Sequence, residues 1–174
     1  DVESGKMQNT SLSGHESWVT SLAAFPATDI VLASASTDGS ILFWDLTSNS
    51  TIGNPFLGNS SKINSIDFSF DGKFLASGGN DGQLILWDVG TKQPIVSIPL
   101  GPNNSISSIS FHPTKNELIS ADANGALIRW NLDPVQWRSM TCQRVGRNFT
   151  QTEWAQYFPG EPYRITCPQW PAGE

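Results

Sequence analysis

The sequence predicts an all-β fold of repeated four-stranded units, on three observations. Trp44, Trp87 and Trp130 recur at an unvarying interval of 43 residues. Ser34, Ser77 and Ser120 keep that interval, as do Asp38, Asp81 and Asn124, each followed by glycine. Each interval also holds short apolar segments separated by turn residues. A fixed period in the low forties is that of a four-stranded propeller blade, which stacks on its neighbours because it cannot bury its faces alone.

The second unit shows why each element forms. Residues 63–68 alternate apolar and polar side chains, as a half-buried strand requires, and a turn at Phe70-Asp71-Gly72 ends them. A second strand over 73–78 meets Asp81-Gly82, and a third follows over 83–88. Aspartate followed by glycine favours a hairpin because such a turn needs positive φ. The last strand spans 94–100 and carries prolines at its ends, which places it on the outer edge, where a missing amide hydrogen costs little.

The repeated segments read LASASTDGSILFWD (32–45), LASGGNDGQLILWD (75–88) and LISADANGALIRWN (118–131). They closely resemble the WD-repeat family. The resemblance implies three blades over residues 1–132, part of a larger ring, with residues 1–12 supplying the outer strand of a preceding blade. After Trp130 the third blade lacks its own outer strand, because Asp133-Pro134 opens a helix. The expectation is therefore the C-terminal part of a larger protein whose other blades come from the same protein; assembly of two copies into a six-bladed ring is the alternative.

The resemblance also assigns residues. His15, Ser34, Asp38 and Trp44 correspond to a buried hydrogen-bonded network joining the strands of a blade, with Ser77, Asp81 and Trp87, then Ser120, Asn124 and Trp130, as its later copies. A serine, a histidine and an acid also make the pattern of nucleophilic acyl transfer, but only the first unit has all four residues, and in the second and third Asn59 and Pro102 follow the glycine where a histidine would stand. No catalytic site is expected. Partners of family propellers dock on the loops before the first strand and between the second and third. Here these are Trp18 with Thr37, Lys62 with Asn80, and Ser105 with Ala123. Trp18 reads either as an anchor, since large aromatics dominate interfaces, or as a cover for the rim of its own blade.

From residue 133 the periodicity changes. Asp133 caps, Pro134 suits the first helical position and Gln136 takes the capping-box place, so a helix is predicted up to Gly146. Thr150 and Glu153 form a second box, opening a helix that Pro159-Gly160 stops. This tail, 133–174, is expected to dock on the propeller and to bury Trp137 or Trp154, since its aromatics offer too much apolar area to leave in water. The run CQRVGRNFT (142–150), with Glu153-Trp154, Tyr157, Glu161-Pro162-Tyr163-Arg164 and Thr166-Cys167-Pro168, resembles the segment closing many large bacterial WD-repeat proteins. In those the propeller is often the sensor end of a signalling NTPase of the STAND class, or follows a protease-like effector.

Composition bounds the function. Residues 1–131 carry twelve acids against six bases, a balance unsuited to nucleic acid. No apolar run approaches the ~20 residues of a membrane helix. Neither histidine, His15 or His112, has metal-ligating companions, no phosphate-cradling glycine motif occurs, and no cofactor is expected. Cys142 and Cys167 read as reduced thiols of a cytoplasmic protein, with a tail disulfide as the alternative. The Asn-x-Ser/Thr triplets at Asn9, Asn49, Asn59, Asn103 and Asn148 arise readily by accident in such a Ser- and Asn-rich chain. The sequence thus points to a non-catalytic module binding a protein or ligand, at the sensor or scaffold end of a bacterial signalling protein. Its alternatives are a region stabilising a multidomain enzyme, or a self-assembling half-propeller.

Overall fold

A computed structural model describes residues 11–28, 31–59, 61–101, 103–133, 146–157 and 160–173. The chain divides into two compact units, Asp1–Trp130 and Asn131–Glu174.

In the first unit every repeat is an antiparallel sheet. The first contains β1 (Val19–Ala24), β2 (Val31–Ser36) and β3 (Ser40–Asp45), followed by an outer strand in two pieces, β4 (Ser50–Thr51) and β5 (Phe56–Leu57), both paired with β3. The break falls on Gly53 and Pro55, one at φ +70° and the other without an amide hydrogen. The second sheet is the complete version: β6 (Ile63–Phe68), β7 (Phe74–Gly79), β8 (Gln83–Asp88) and β9 (Gln93–Pro99) pair in chain order. Its first and third strands begin and end where the alternation places them. The third contains β10 (Ile106–Phe111), β11 (Glu117–Asp122) and β12 (Leu127–Asn131), with no fourth strand among the described residues. The outer strand expected at the N-terminus falls largely on residues 1–10, outside the described residues; Ser11 and Leu12 are not in a strand.

Each inner strand enters its sheet through the same irregularity. The register slips between Val19 and Ser21, Ile63 and Ser65, and Ile106 and Ser108. Such a bulge re-aims the side chains that follow it, and here those side chains join one blade to the next. The Thr20 hydroxyl donates to the Ile63 carbonyl at 2.6 Å and the Asn64 amide to the Ile106 carbonyl at 2.8 Å. Ser21 and Ser65 then accept from the Ile66 and Ile109 amides at 3.1 and 3.0 Å. Apolar packing fills the same seams. Phe43 stacks on Phe56, and Phe43 and Phe25 both meet Phe68 edge-on. Gly78 lies so close to Ile106 and Ile109 that a Cβ there would be 2.5 Å from Ile106 Cγ2. Adding one would push the second and third blades apart.

The second unit contains α1 (Gln151–Tyr157). Its start is the predicted reciprocal box: the Glu153 amide donates to the Thr150 hydroxyl at 3.1 Å, and the Thr150 amide donates to the Glu153 carboxylate at 2.9 Å. The helix expected over 134–145 lies outside the described residues. Trp154 is buried among side chains of its own unit, Phe149 and Tyr163 edge-on and Arg164 over its ring at 5.5 Å from the centroid. Asn148, buried, ties the ends together. Its amide donates to the carbonyls of Cys167, Trp170 and Pro171, and its oxygen accepts from the Thr166 and Cys167 amides. A glycan therefore has no access to this asparagine, whatever its triplet suggests.

Cys167 corrects the reduced-thiol reading, because it is disulfide-bonded. The chain has one other cysteine, Cys142, outside the described residues. The alternative reading, a tail disulfide, is the one that holds; wide sequence spacing left the choice open, since only the folded path of the tail decides which sulfurs meet.

Candidate functional site

Two groups of residues come together in the first unit. The first surrounds His15, held where the chain approaches β1. Its Nε2 is 2.6 Å from the Ser34 hydroxyl on β2, and the Trp44 indole on β3 donates to the same hydroxyl at 2.7 Å. Its Nδ1 faces the Ser40 hydroxyl at 3.1 Å and the Asp38 carboxylate at 3.3 Å. The imidazole thus bridges the Ser34 hydroxyl on β2 and the Ser40 and Asp38 oxygens at the turn between β2 and β3. Burial pushes the Asp38 carboxyl up, but hydrogen bonds from the Ser40 hydroxyl and amide, with those of Ser36 and the Glu16 amide, outweigh it and hold the carboxyl well below the ordinary range.

The order indole, serine, histidine, carboxylate has the outline of a catalytic triad, and a cavity of about 580 Å³ lies beside it. The other repeats show what the serine does. Ser77 accepts from the Trp87 indole and Ser120 from the Trp130 indole, both at 2.9 Å, with no histidine in either. In the second repeat the Ser77 hydroxyl donates to Asn59 Oδ1 at 2.9 Å, so Asn59 takes the place of the imidazole as acceptor. Sequence reasoning noted Asn59 only as a missing histidine. Its position after Gly58, as His15 follows Gly14, was the available signal. Asp81 accepts from the Gln83 amide at 3.1 Å, closing its own turn. In the third repeat Asn124 turns elsewhere, donating to the Asn103 carbonyl and to Asn104 Oδ1 at 3.0 and 2.7 Å.

The second group lines one end of the sheets. The Thr37 amide donates to the Trp18 carbonyl, the Asn80 amide to the Lys62 carbonyl and the Ala123 amide to the Ser105 carbonyl, at 2.9, 3.0 and 2.8 Å. One bond, repeated, thus brings together the members of each expected pair. Trp18 is 84% exposed. Lys62, Asn80 and Ala123 are exposed, Thr37 and Ser105 partly so. Asn64, absent from the sequence reading, crosses the seam between the second and third pairs, donating to Asn80 Oδ1 at 2.9 Å and to the Ser105 hydroxyl at 3.3 Å. Its signal was its place at the bulge, one residue after Ile63. Among the described residues no group of His, Cys, Asp and Glu is arranged to hold a metal ion, and no helix is long and apolar enough to cross a membrane.

Comparison with known proteins agrees with this geometry. The chain is similar to a solved structure titled "Structure of U3-55K", at 27% identity and a TM-score of 0.65, over 70% of this chain and 38% of that one. It is similar to another titled "Crystal structure of RRP9 WD40 repeats", at 28% identity and a TM-score of 0.64, over 70% and 37%. It spans less than half the length of either. No curated protein matches. The profile of the family described as "WD40: WD domain, G-beta repeat" matches residues 6–45, 50–88 and 93–131. Those matches take in all three Trp-centred repeats and more than half of the chain, which therefore belongs to the WD40 family of G-beta repeats.

Proposed function

We propose that this chain is a non-catalytic interaction module whose partner docks across the end carrying Trp18, Lys62 and Asn80. WD40 repeat domains are generally protein-interaction scaffolds. One observation carries the reading for this chain: Trp18 is almost fully exposed in a row of loop pairs that the fold holds by one repeated hydrogen bond. Large aromatics left in water at an ordered site supply binding energy when a partner desolvates them. The His15 network belongs to the blade's interior in this reading. Ser34 is buried, and its hydroxyl is tied to the Trp44 indole and the His15 ring in the same way that Ser77 is tied to Trp87 and Asn59 in a repeat without a histidine.

The tail motifs support a finer version, in which the module is the sensor or scaffold end of a larger bacterial signalling protein of the kind found with STAND-class NTPases. A cytoplasmic setting goes with it. The disulfide at Cys167 pulls the other way, because cytoplasmic thiols are kept reduced. Differential alkylation of the protein taken directly from cells reads which state it holds.

The docking end is tested by affinity capture from the source cells with the wild-type chain, Trp18→Ala, Lys62→Glu and the surface control Ile95→Ser, an exposed residue of the outer strand β9. Partners retained by wild type and control but lost from the two face variants support the reading. Partners lost equally from the control, or kept by both face variants, overturn it.

A further inference from the structure

At the opposite end of the strands from Trp18, a groove of about 310 Å³ is lined by residues of all three blades, Ala24 and Pro26 of the first among them. Asp67, near the end of β6, forms its floor with Phe68 and Phe111; Phe70, His112 and Pro113 line its mouth. The Asp67 carboxylate accepts two hydrogen bonds, from the Phe111 amide across the seam at 2.7 Å and from the Phe68 amide at 2.9 Å. Each oxygen keeps a lone pair. No lysine, arginine or histidine nitrogen among the described residues comes within ion-pair distance of it. His112 turns its Nδ1 to the Thr114 amide at 3.2 Å instead.

A half-buried carboxylate without a counter-charge is costly, and folded proteins ordinarily pair such a group. Burial pushes the Asp67 carboxyl above its usual range, with the two amide bonds only partly offsetting the effect. The groove is therefore electrostatically incomplete. Its walls narrow the choice of what completes it: Phe70 is 43% exposed, three residues from Asp67, and lines the groove beside it. The volume lies at the small end of ligand pockets, ~300–1,000 Å³, which suits one long side chain rather than a cofactor.

We infer that this groove receives an arginine side chain of a protein partner, its guanidinium on the Asp67 carboxylate and its plane against Phe70. Arginine fits better than lysine because its guanidinium is planar, more weakly hydrated and able to stack on an aromatic ring while donating to a carboxylate. This site is separate from the Trp18 end, so either can fail without the other.

The test titrates N-acetyl-arginine methylamide into the isotope-labelled full chain and follows the Phe68 and Phe111 amide signals, with the citrulline analogue as neutral isostere and the lysine analogue as point charge. Saturable shifts with arginine, at least tenfold weaker with citrulline and weaker with lysine, are expected. Asp67→Asn should reduce affinity at least tenfold and Phe70→Ala several-fold, with Trp18→Ala unchanged. Phe70→Ala alters only an exposed ring, so it decides the matter if Asp67→Asn does not fold. Equal binding of citrulline, tighter binding of lysine, or no loss of affinity in Phe70→Ala would overturn the inference.

Discussion

At the residue scale, the serine of each repeat is the junction on which the blade's polar interior depends. Ser77 joins the Trp87 indole to Asn59, whereas Ser120 serves the partly buried Trp130 indole. Removing a hydroxyl from a buried junction leaves its partners desolvated and unpaired, which costs about 1–3 kcal/mol. Ser77→Ala should therefore destabilise the chain more than Ser120→Ala, as urea unfolding will show. His15→Ala should also cost about 1–3 kcal/mol, because it strands Ser34 and removes the ring nitrogen that faces Asp38. Trp18→Ala, at an exposed site, should leave stability nearly unchanged. A hydrolase activity lost in His15→Ala at unchanged stability would reverse the assignment.

At the scale of single elements, α1 and the loop around it make the sharpest predictions. Arg147 donates through its two terminal guanidinium nitrogens, Nη1 and Nη2, to Glu153, each at 2.7 Å. That pair, with the Thr150 amide, lowers the Glu153 carboxyl to about 2. A lowered folded-state pKa stabilises above the unfolded value, and the contribution is lost as pH falls through the folded one. The helix start should thus hold at neutral pH and loosen between the ordinary glutamate pKa of ~4.3 and about 2, while Arg147→Met should move that loss to higher pH. Side-chain carboxyl resonances followed by pH titration read both. Asn148→Asp keeps the shape but sets a carboxylate against the carbonyls of Cys167, Trp170 and Pro171. An uncompensated buried charge should cost on the order of 3 kcal/mol or more and abolish the near-ultraviolet signal of Trp154.

At the scale of the whole molecule, the repeat is a device for adding blades. The same hydroxyl or amide donor, bulge and serine acceptor recur at each seam, so a blade presents on one side what the next accepts on the other. In the third blade, β12 closes the sheet among the described residues, and Leu127 and Ile119 are exposed. A sheet edge with unpaired backbone groups beside apolar side chains promotes association. The isolated chain should accordingly self-associate; light scattering that finds a compact, cooperatively melting monomer would refute this.

The division between what was legible in the sequence and what was not follows the range of the interactions. The alternation of residues 63–68, the aspartate-glycine turns with Gly39 and Gly82 at positive φ, and the Thr150–Glu153 box are local: a few consecutive residues contain the whole physical reason for each. The loop pairs of the Trp18 end were legible too, but only through the family resemblance. Asn59 as a substitute for histidine, the Asn148 staple, the choice between free thiols and a disulfide at Cys167, and the Asp67 carboxylate without a counter-charge among the described residues were not. Each depends on which distant groups face one another after packing, and on how much water packing excludes. By itself the sequence determined the repeat, its turns and its register, because backbone preferences and alternation act within a few residues. Only the tertiary structure decided which polar groups found partners and which, like the Asp67 carboxylate, have no counter-charge among the described residues, because pairing and desolvation belong to the packed seams between blades.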